Sequence, residues 1–261
     1  MSNVTAIRTS SSVRDSVSEE EWAIRVDLAA AYRLVAHYGW DDLIFTHISA
    51  RVPGPEHHFL INPYGMMFEE ITASSLLKID MAGDKVLDSP YIVNQAGFTI
   101  HSAVHEGRED ARCVLHLHTL DGTAVSTDSR GLMPLNQTAM LIRDQIAWHD
   151  YEGVAVDLDE RPRLQKDIAD KHFMLLWNHG TLTVGETVAE AFQRMYFLER
   201  ACSMQVRTLS TGADIHPPQD AIVDKTRHQG SNQDAFAMVA NTMAWPALLR
   251  MLDRRDSSFR E

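Results

Sequence analysis

The stretch Cys113–Ser126, CVLHLHTLDGTAVS, sets two imidazoles, His116 and His118, in an apolar run where a β-strand would otherwise carry Val and Leu. On a strand, residues i and i+2 share a face, about 6–7 Å apart. His116 and His118 are therefore expected to point one way, and Leu115 and Leu117 the other way, into a core. Two imidazoles side by side suit ligands converging on one cation. A catalytic metal site commonly has three protein ligands and one open position, so a third ligand is expected from elsewhere. His179, in LLWNHGTLTVG, sits at the tip of a tight turn between two apolar strands. Gly180 lets the backbone fold closely there, and Asn178 can hold the turn. Taken alone, the H-x-H pair also fits surface or hydrogen-bonded histidines, and the chain has 13 histidines to make chance pairs.

The surrounding chain has ordinary globular composition: 261 residues, 44% apolar and 23% charged. That length allows one large domain or two small ones and can bury a core without staples. Its 36 acidic and 24 basic residues give a net charge of -12. Non-specific binding to nucleic acid or anionic membranes needs a basic face, so neither is an expected partner. No apolar run reads as long enough to span a membrane. Cys113 and Cys202 lie in apolar segments and read as buried free thiols of a reducing compartment. The N-terminus has no apolar signal core, and its serines suggest a mobile arm over residues 1–18. The expected location is cytoplasmic.

Ser18 and the acidic run after it predict a helix over Glu19–Tyr38. LIFTHISARV (Leu43–Val52) and HHFLINPYG read as strands, and Thr72 and Ser74 can cap a short turn before LLKIDM. Phe98–Gly107 reads as a helix, ARCVLHLH as a strand, and TLDGTAVST and NQTAMLIRD as short helices. RLQKDIADK predicts a helix, FMLLW and LTVG strands, Glu186–Leu209 a long helix and Gln233–Leu252 a last one. The pattern predicts a main domain over 19–210, with 211–261 forming a linker and a helix that packs on it or on a neighbouring subunit. No glycine-rich phosphate loop is present, which argues against a nucleotide enzyme of Rossmann or P-loop type.

CVLHLHTLDGTAVS followed by LLWNHGTLTVGETVAEAF resembles the class II aldolase/adducin family. FTHISARVPG, AGFTIHSAVH and AWHDYEG fit it in the same order, so the resemblance covers roughly Glu20–Arg207. It implies a single three-layer α/β/α domain around a largely antiparallel sheet. It also implies a homotetramer with active sites near subunit boundaries. The ligand set it implies is His116, His118 and His179 around one divalent metal, zinc first, with Mn, Fe or Co also compatible with three imidazoles.

The departures from the family pattern bear on function. Sugar-phosphate aldolases of the family place a glutamate base where this chain has Gly97, and a tyrosine proton donor where Thr138 stands. Their glycine–asparagine phosphate pair falls at Thr46-His47, and their serine pair near Asn94-Gln95. A standard sugar-phosphate aldolase is therefore not expected. Decarboxylation or retro-aldol cleavage of a metal-chelated hydroxy or keto acid, through a metal-stabilised enolate, needs fewer of these parts. His101, one helical turn past Gly97, and Thr138 are the candidate catalytic residues. His105, a further turn on, is read as pointing away. His47, Tyr64, Gly65 and Gln95 are the candidate substrate-binding residues, His47 as a partner for a substrate carboxylate. Tyr151 is read as structural. The alternatives are a non-catalytic head like that of adducin, whose following segment ACSMQVRTLSTG resembles, and an iron-dependent oxygenase of an aromatic acid.

Overall fold

Ser18 starts the first helix by accepting the Glu21 amide on its Oγ at 3.1 Å. The helix, α1 (Glu19–Tyr38), ends at Gly39, whose φ of 67° needs no β-carbon. These bounds are the ones the capping pattern predicts. The computed structural model describes residues 12–155 and 157–261, apart from the side chains of Gln95 and Ala96. Most of the expected arm, residues 1–11, lies outside the described residues, and Val13–Ser16 form a 3-10 turn.

Three short strands follow: β1 (His47–Arg51), β2 (Phe59–Ile61) and β3 (Leu77–Ile79). β1 is shorter than the run Leu43–Val52 because Leu43 and Thr46 hold left-handed φ values of 51° and 67°, which break an extended chain. Next come α2 (Gln95–Gly107), β4 (Cys113–Leu117), α3 (Leu120–Ser126) and α4 (Gln137–Ile142). β5 (Ile146–His149) was not expected from its short mixed sequence. α5 (Arg161–Ile168), β6 (Phe173–Leu176), β7 (Gly180–Gly185) and the long α6 (Val188–Ser210) complete the main unit.

The strands form one seven-stranded sheet in the order β3-β2-β1-β4-β7-β6-β5. Every neighbouring pair is antiparallel except β5–β6. Alternation along β4 divides the core as the sequence predicts. Leu115 and Leu117 pack with Leu28, Leu34, Phe192 and Met195 of α1 and α6. Val114 faces the opposite layer, with Ile100 and Val104 of α2 and Leu164 and Ile168 of α5. The fold is a three-layer α/β/α domain around a largely antiparallel sheet.

The C-terminal region differs from expectation. α7 (Asp220–Gln229) is an added helix, and the last one is in three pieces: α8 (Gln233–Val239), a π-helical turn (Ala240–Ala244) and α9 (Trp245–Arg255). Trp245 Nε1 donates to Asp27 Oδ1 at 2.9 Å, and the Ala73 and Ser74 amides donate to the Phe259 and Glu261 carbonyls. These contacts fasten the C-terminal segment to the α1 layer. The whole stretch Gln233–Arg255 is long and apolar enough, by length and composition, to cross a membrane. This corrects the sequence reading: between Asp234 and Arg250 it carries no charged residue. Its exposed Met238, Val239 and Met243 keep it apolar, while Trp245 and Leu252 pack into the core.

Candidate metal centre

β4 carries His116 into its last turn of pleat and ends at Leu117, so His118 stands one residue past the strand rather than within it. Thr119 then caps α3, its Oγ1 accepting the Gly122 amide at 3.2 Å. His179 comes from the β6–β7 turn. Asn178 takes a φ of 57°, and its amide donates to the Ser126 carbonyl at 3.0 Å. A β-carbon at Gly180 would lie 2.5 Å from the Leu117 carbonyl oxygen. Glycine at that position lets the turn press against the end of β4.

The three rings form a near-equilateral triangle, with centroids 4.9 Å apart for His116–His118, 4.7 Å for His116–His179 and 4.9 Å for His118–His179. One ligand atom from each lies within 4.8 Å of the others. Two second partners fix the ring orientations. His116 Nδ1 donates to the Thr181 carbonyl at 3.1 Å, and His118 Nδ1 donates to Asp42 Oδ2 at 3.1 Å. Each ring thus turns a lone pair on Nε2 inward, and the two Nε2 atoms face each other at 3.1 Å. Two neutral acceptors repel at that distance. A tetrahedral metal–imidazole site puts its nitrogens about 3.3 Å apart, so a cation among the rings removes the conflict. Burial, then the neighbouring histidines, push His116 well below its ordinary range. Burial likewise takes His179 down to about 4, so both rings are neutral ligands at pH 7.

A cavity of about 290 Å³ opens over the triad, walled by Asp42, Phe45, Thr46, His47, Asn94, Ile100, Tyr151 and Gly153–Ala155. His47 pairs with His116 across the β1–β4 ladder. Asn94 Nδ2 donates to His47 Nε2 at 2.8 Å, which leaves the proton on Nδ1. Burial pushes His47 down to about 3. It is thus a neutral hydrogen-bonding group, so the pairing with a substrate carboxylate expected of it would be a hydrogen bond.

His101 does not line this cavity; it is fully buried beside it, its ring edge-on to His47 at 5.8 Å. His105 does not point away, because it and His101 meet on one residue. Ser49 Oγ lies 2.6 Å from His101 Nδ1 and 2.7 Å from His105 Nε2. His105 Nδ1 donates to the Ala111 carbonyl at 2.8 Å. A carbonyl only accepts, so the protons are ordered along the chain: Ser49 donates to His105, and His101 donates to Ser49. His101 Nε2 is left as a buried acceptor without a protein partner.

Of the remaining expected residues, Thr138, Tyr64 and Gly65 fall outside the cavity wall. Thr138 lies on α4, which packs on α6 and α7. Tyr64 and Gly65 form the turn after β2, where the Tyr64 amide donates to the Ile92 carbonyl. Gln95 opens α2, and its side chain lies outside the described residues. Tyr151, read as structural, stands at the mouth with its ring 6.0 Å from His179. Asp42 was missed altogether. A lone aspartate 76 residues before its histidine leaves no local signal.

Comparison with known proteins agrees with this geometry. Residues 26–206 match the family described as Class II Aldolase and Adducin N-terminal domain. A Caulobacter vibrioides protein that carries a provisional aldolase class 2 name is 54% identical over 249 residues, covering 95% of this chain and 96% of its own. Alpha-adducin of Mus musculus is 39% identical over 256 residues, covering 92% of this chain but 34% of the adducin. The solved L-fuculose 1-phosphate aldolase of Glaciozyma antarctica superposes with a TM-score of 0.79 at 25% identity, over 98% of this chain and 97% of its own. With its three-layer fold, its converging histidines and a match that spans most of its length, this chain belongs to the class II aldolase/adducin family.

Proposed function

We propose that this chain is a divalent-metal-dependent carbon–carbon lyase acting on a small hydroxy or keto acid. The observation that carries the reading is the pair of inward lone pairs, His116 Nε2 and His118 Nε2, 3.1 Å apart with His179 completing the triangle. Zinc is the proposed metal, though Mn, Fe or Co would also take three imidazoles. When bound, the metal supplies Lewis-acid stabilisation of negative charge developing on a substrate oxygen.

The chain's own residues would do the rest. Asp42 and the Thr181 carbonyl hold two ligand rings in the right tautomer. His47 and Asn94 offer neutral hydrogen bonds along one wall. Tyr151, which lines the cavity with its ring 6.0 Å from His179, is the proposed proton donor in place of Thr138. No lysine or arginine lines the cavity among the described residues, which speaks against a phosphate-bearing substrate. The buried free thiols of Cys113 and Cys202 support a reducing, cytoplasmic setting. A homotetramer would cover the exposed apolar side chains of Ile222, Met238 and Met243.

A second reading has one observation in its favour: the identity with alpha-adducin, whose name marks a different kind of protein. In that reading the domain is a non-catalytic head. Metal analysis with a screen of hydroxy and keto acids, run under air and under argon, separates the cases. Stoichiometric metal and oxygen-independent product formation are expected. Oxygen uptake with iron would replace the lyase by an oxygenase. Absence of bound metal and of turnover would favour the head.

A further inference from the structure

The cavity wall beyond the triad is divided: Asp42, Thr46, His47 and Asn94 are polar, and the rest is apolar or aromatic. Phe45, Ile100, Val154 and Ala155 supply apolar surface, and Tyr151 adds an aromatic face. Phe45, Tyr151 and Val154 stay 43%, 52% and 72% exposed at the rim, where they add apolar surface to the mouth of the cavity. The wall's charged side chain, Asp42, already accepts from His118. His47 Nε2 already accepts from Asn94 Nδ2 at 2.8 Å. Once its anionic end is held at the triad, a ligand meets no lysine or arginine among the described residues of the wall, and its hydrogen-bonding partners there are Thr46, His47, Asn94 and Tyr151. A phosphate would lose its hydration there without a cationic partner.

Resting on the proposed acid substrate above, we propose that the acid is a 2-keto monocarboxylate whose C4 carries the hydroxyl that retro-aldol cleavage to an enolate requires, with an apolar, branched or single-ring tail beyond it seated against Phe45, Ile100 and Val154. The volume of about 290 Å³ lies at the small end of ligand cavities and suits one ring or one branched chain rather than an extended molecule. Tyr151 at the rim is the expected partner for one polar substituent. Selection then follows from area: each buried methylene contributes about fourfold in affinity.

The test is calorimetric titration of the zinc-loaded protein with acids that share one chelating head: lactate, 2-hydroxyisovalerate, 2-hydroxyisocaproate, 3-phenyllactate, glycerate and 3-phosphoglycerate. Affinity is expected to rise along the first four, with 3-phenyllactate at least tenfold tighter than lactate. Glycerate and 3-phosphoglycerate should bind no better than lactate. Val154→Ser and Phe45→Ser should each shrink the phenyllactate-to-lactate ratio several-fold. Equal affinities across the series, or tightest binding by 3-phosphoglycerate, would overturn the apolar tail while leaving the acid reading standing. If no acid binds in a metal-dependent way, the acid reading itself falls, and the tail with it.

Discussion

A β-carbon at Gly97 would lie 2.6 Å from the ring of His47, so a side chain at position 97 and an imidazole at position 47 exclude each other. The two positions sit on different elements, α2 and β1, and meet only in the folded chain. Their combination makes the wall beside the triad a neutral ring instead of a carboxylate. It also shows why glutamate cannot simply be restored at position 97 while His47 keeps its present place.

Gly97→Ala should therefore destabilise the protein, against helix propensity. In an open helix the change would stabilise by about 0.5–1 kcal/mol. Here the added methyl must displace a buried ring held by Asn94, an overpacking cost of about 1–3 kcal/mol. Urea unfolding should show a lower midpoint for Gly97→Ala, and Gly97→Ala combined with His47→Ala should recover part of the loss over His47→Ala alone. Additive effects in that cycle would mean the two residues do not compete.

Asp42 offers a second test, one that needs no substrate. It holds His118 Nδ1, and loss of such an outer partner costs about 10–100-fold in metal affinity. Asp42→Ala should show that loss in chelator competition while keeping one metal per chain. His118→Ala should abolish tight binding, and His179→Ala should leave a weak two-ligand site. Unchanged affinity in His118→Ala would remove the metal assignment.

Much of this site could be read before the fold was known, because its ligands announce themselves locally. H-x-H needs only the two-residue period of a strand, and His179 needs only a glycine turn between apolar runs. The α1 cap and the apolar alternation of β4 were legible for the same reason. Asp42, the shared Ser49 and the His47–Gly97 contact were not, because each depends on strand register or on helix docking between distant segments. β5 was hidden because four residues, IAWH, carry too little periodicity. The single long C-terminal helix looked continuous because nothing in ANTMA signals a π-helical turn.

Ser49→Ala tests the ordered chain beside the cavity. It would leave His101 Nδ1 and His105 Nε2 buried without partners, at about 1–3 kcal/mol each. Nitrogen-15 spectra of the imidazoles should show both histidines protonated on Nδ1 in the native protein. In Ser49→Ala, His105 should keep that form, pinned by the Ala111 carbonyl, while His101 should shift toward Nε2 protonation. A native His101 already protonated on Nε2 would contradict the proton order derived from the distances.

The same buried histidines set the acid response of the metal-free protein. Burial takes His105 down to about 4 and His47 down to about 3, and holds His101 and His116 well below their ordinary range. In the unfolded chain each would titrate near 6.5. Between those values the unfolded state binds the extra protons, so stability is fully present above about pH 6.5 and falls as the solution is acidified. Each histidine contributes up to about 1.4 kcal/mol per pH unit in that window. Asp27 and Glu199 work the other way, since burial raises them and their protonation favours the folded state at low pH. His172 and His179, each taken down to about 4 by burial, add to these four, and six histidines against two carboxylates leave a net loss. Urea midpoints of the metal-free protein should drop between pH 7.5, 6.5 and 5.5, and the drop should be smaller with zinc bound, because the metal opposes protonation of its ligands. Midpoints that hold constant or rise on acidification would mean that these imidazoles are not held neutral in the fold.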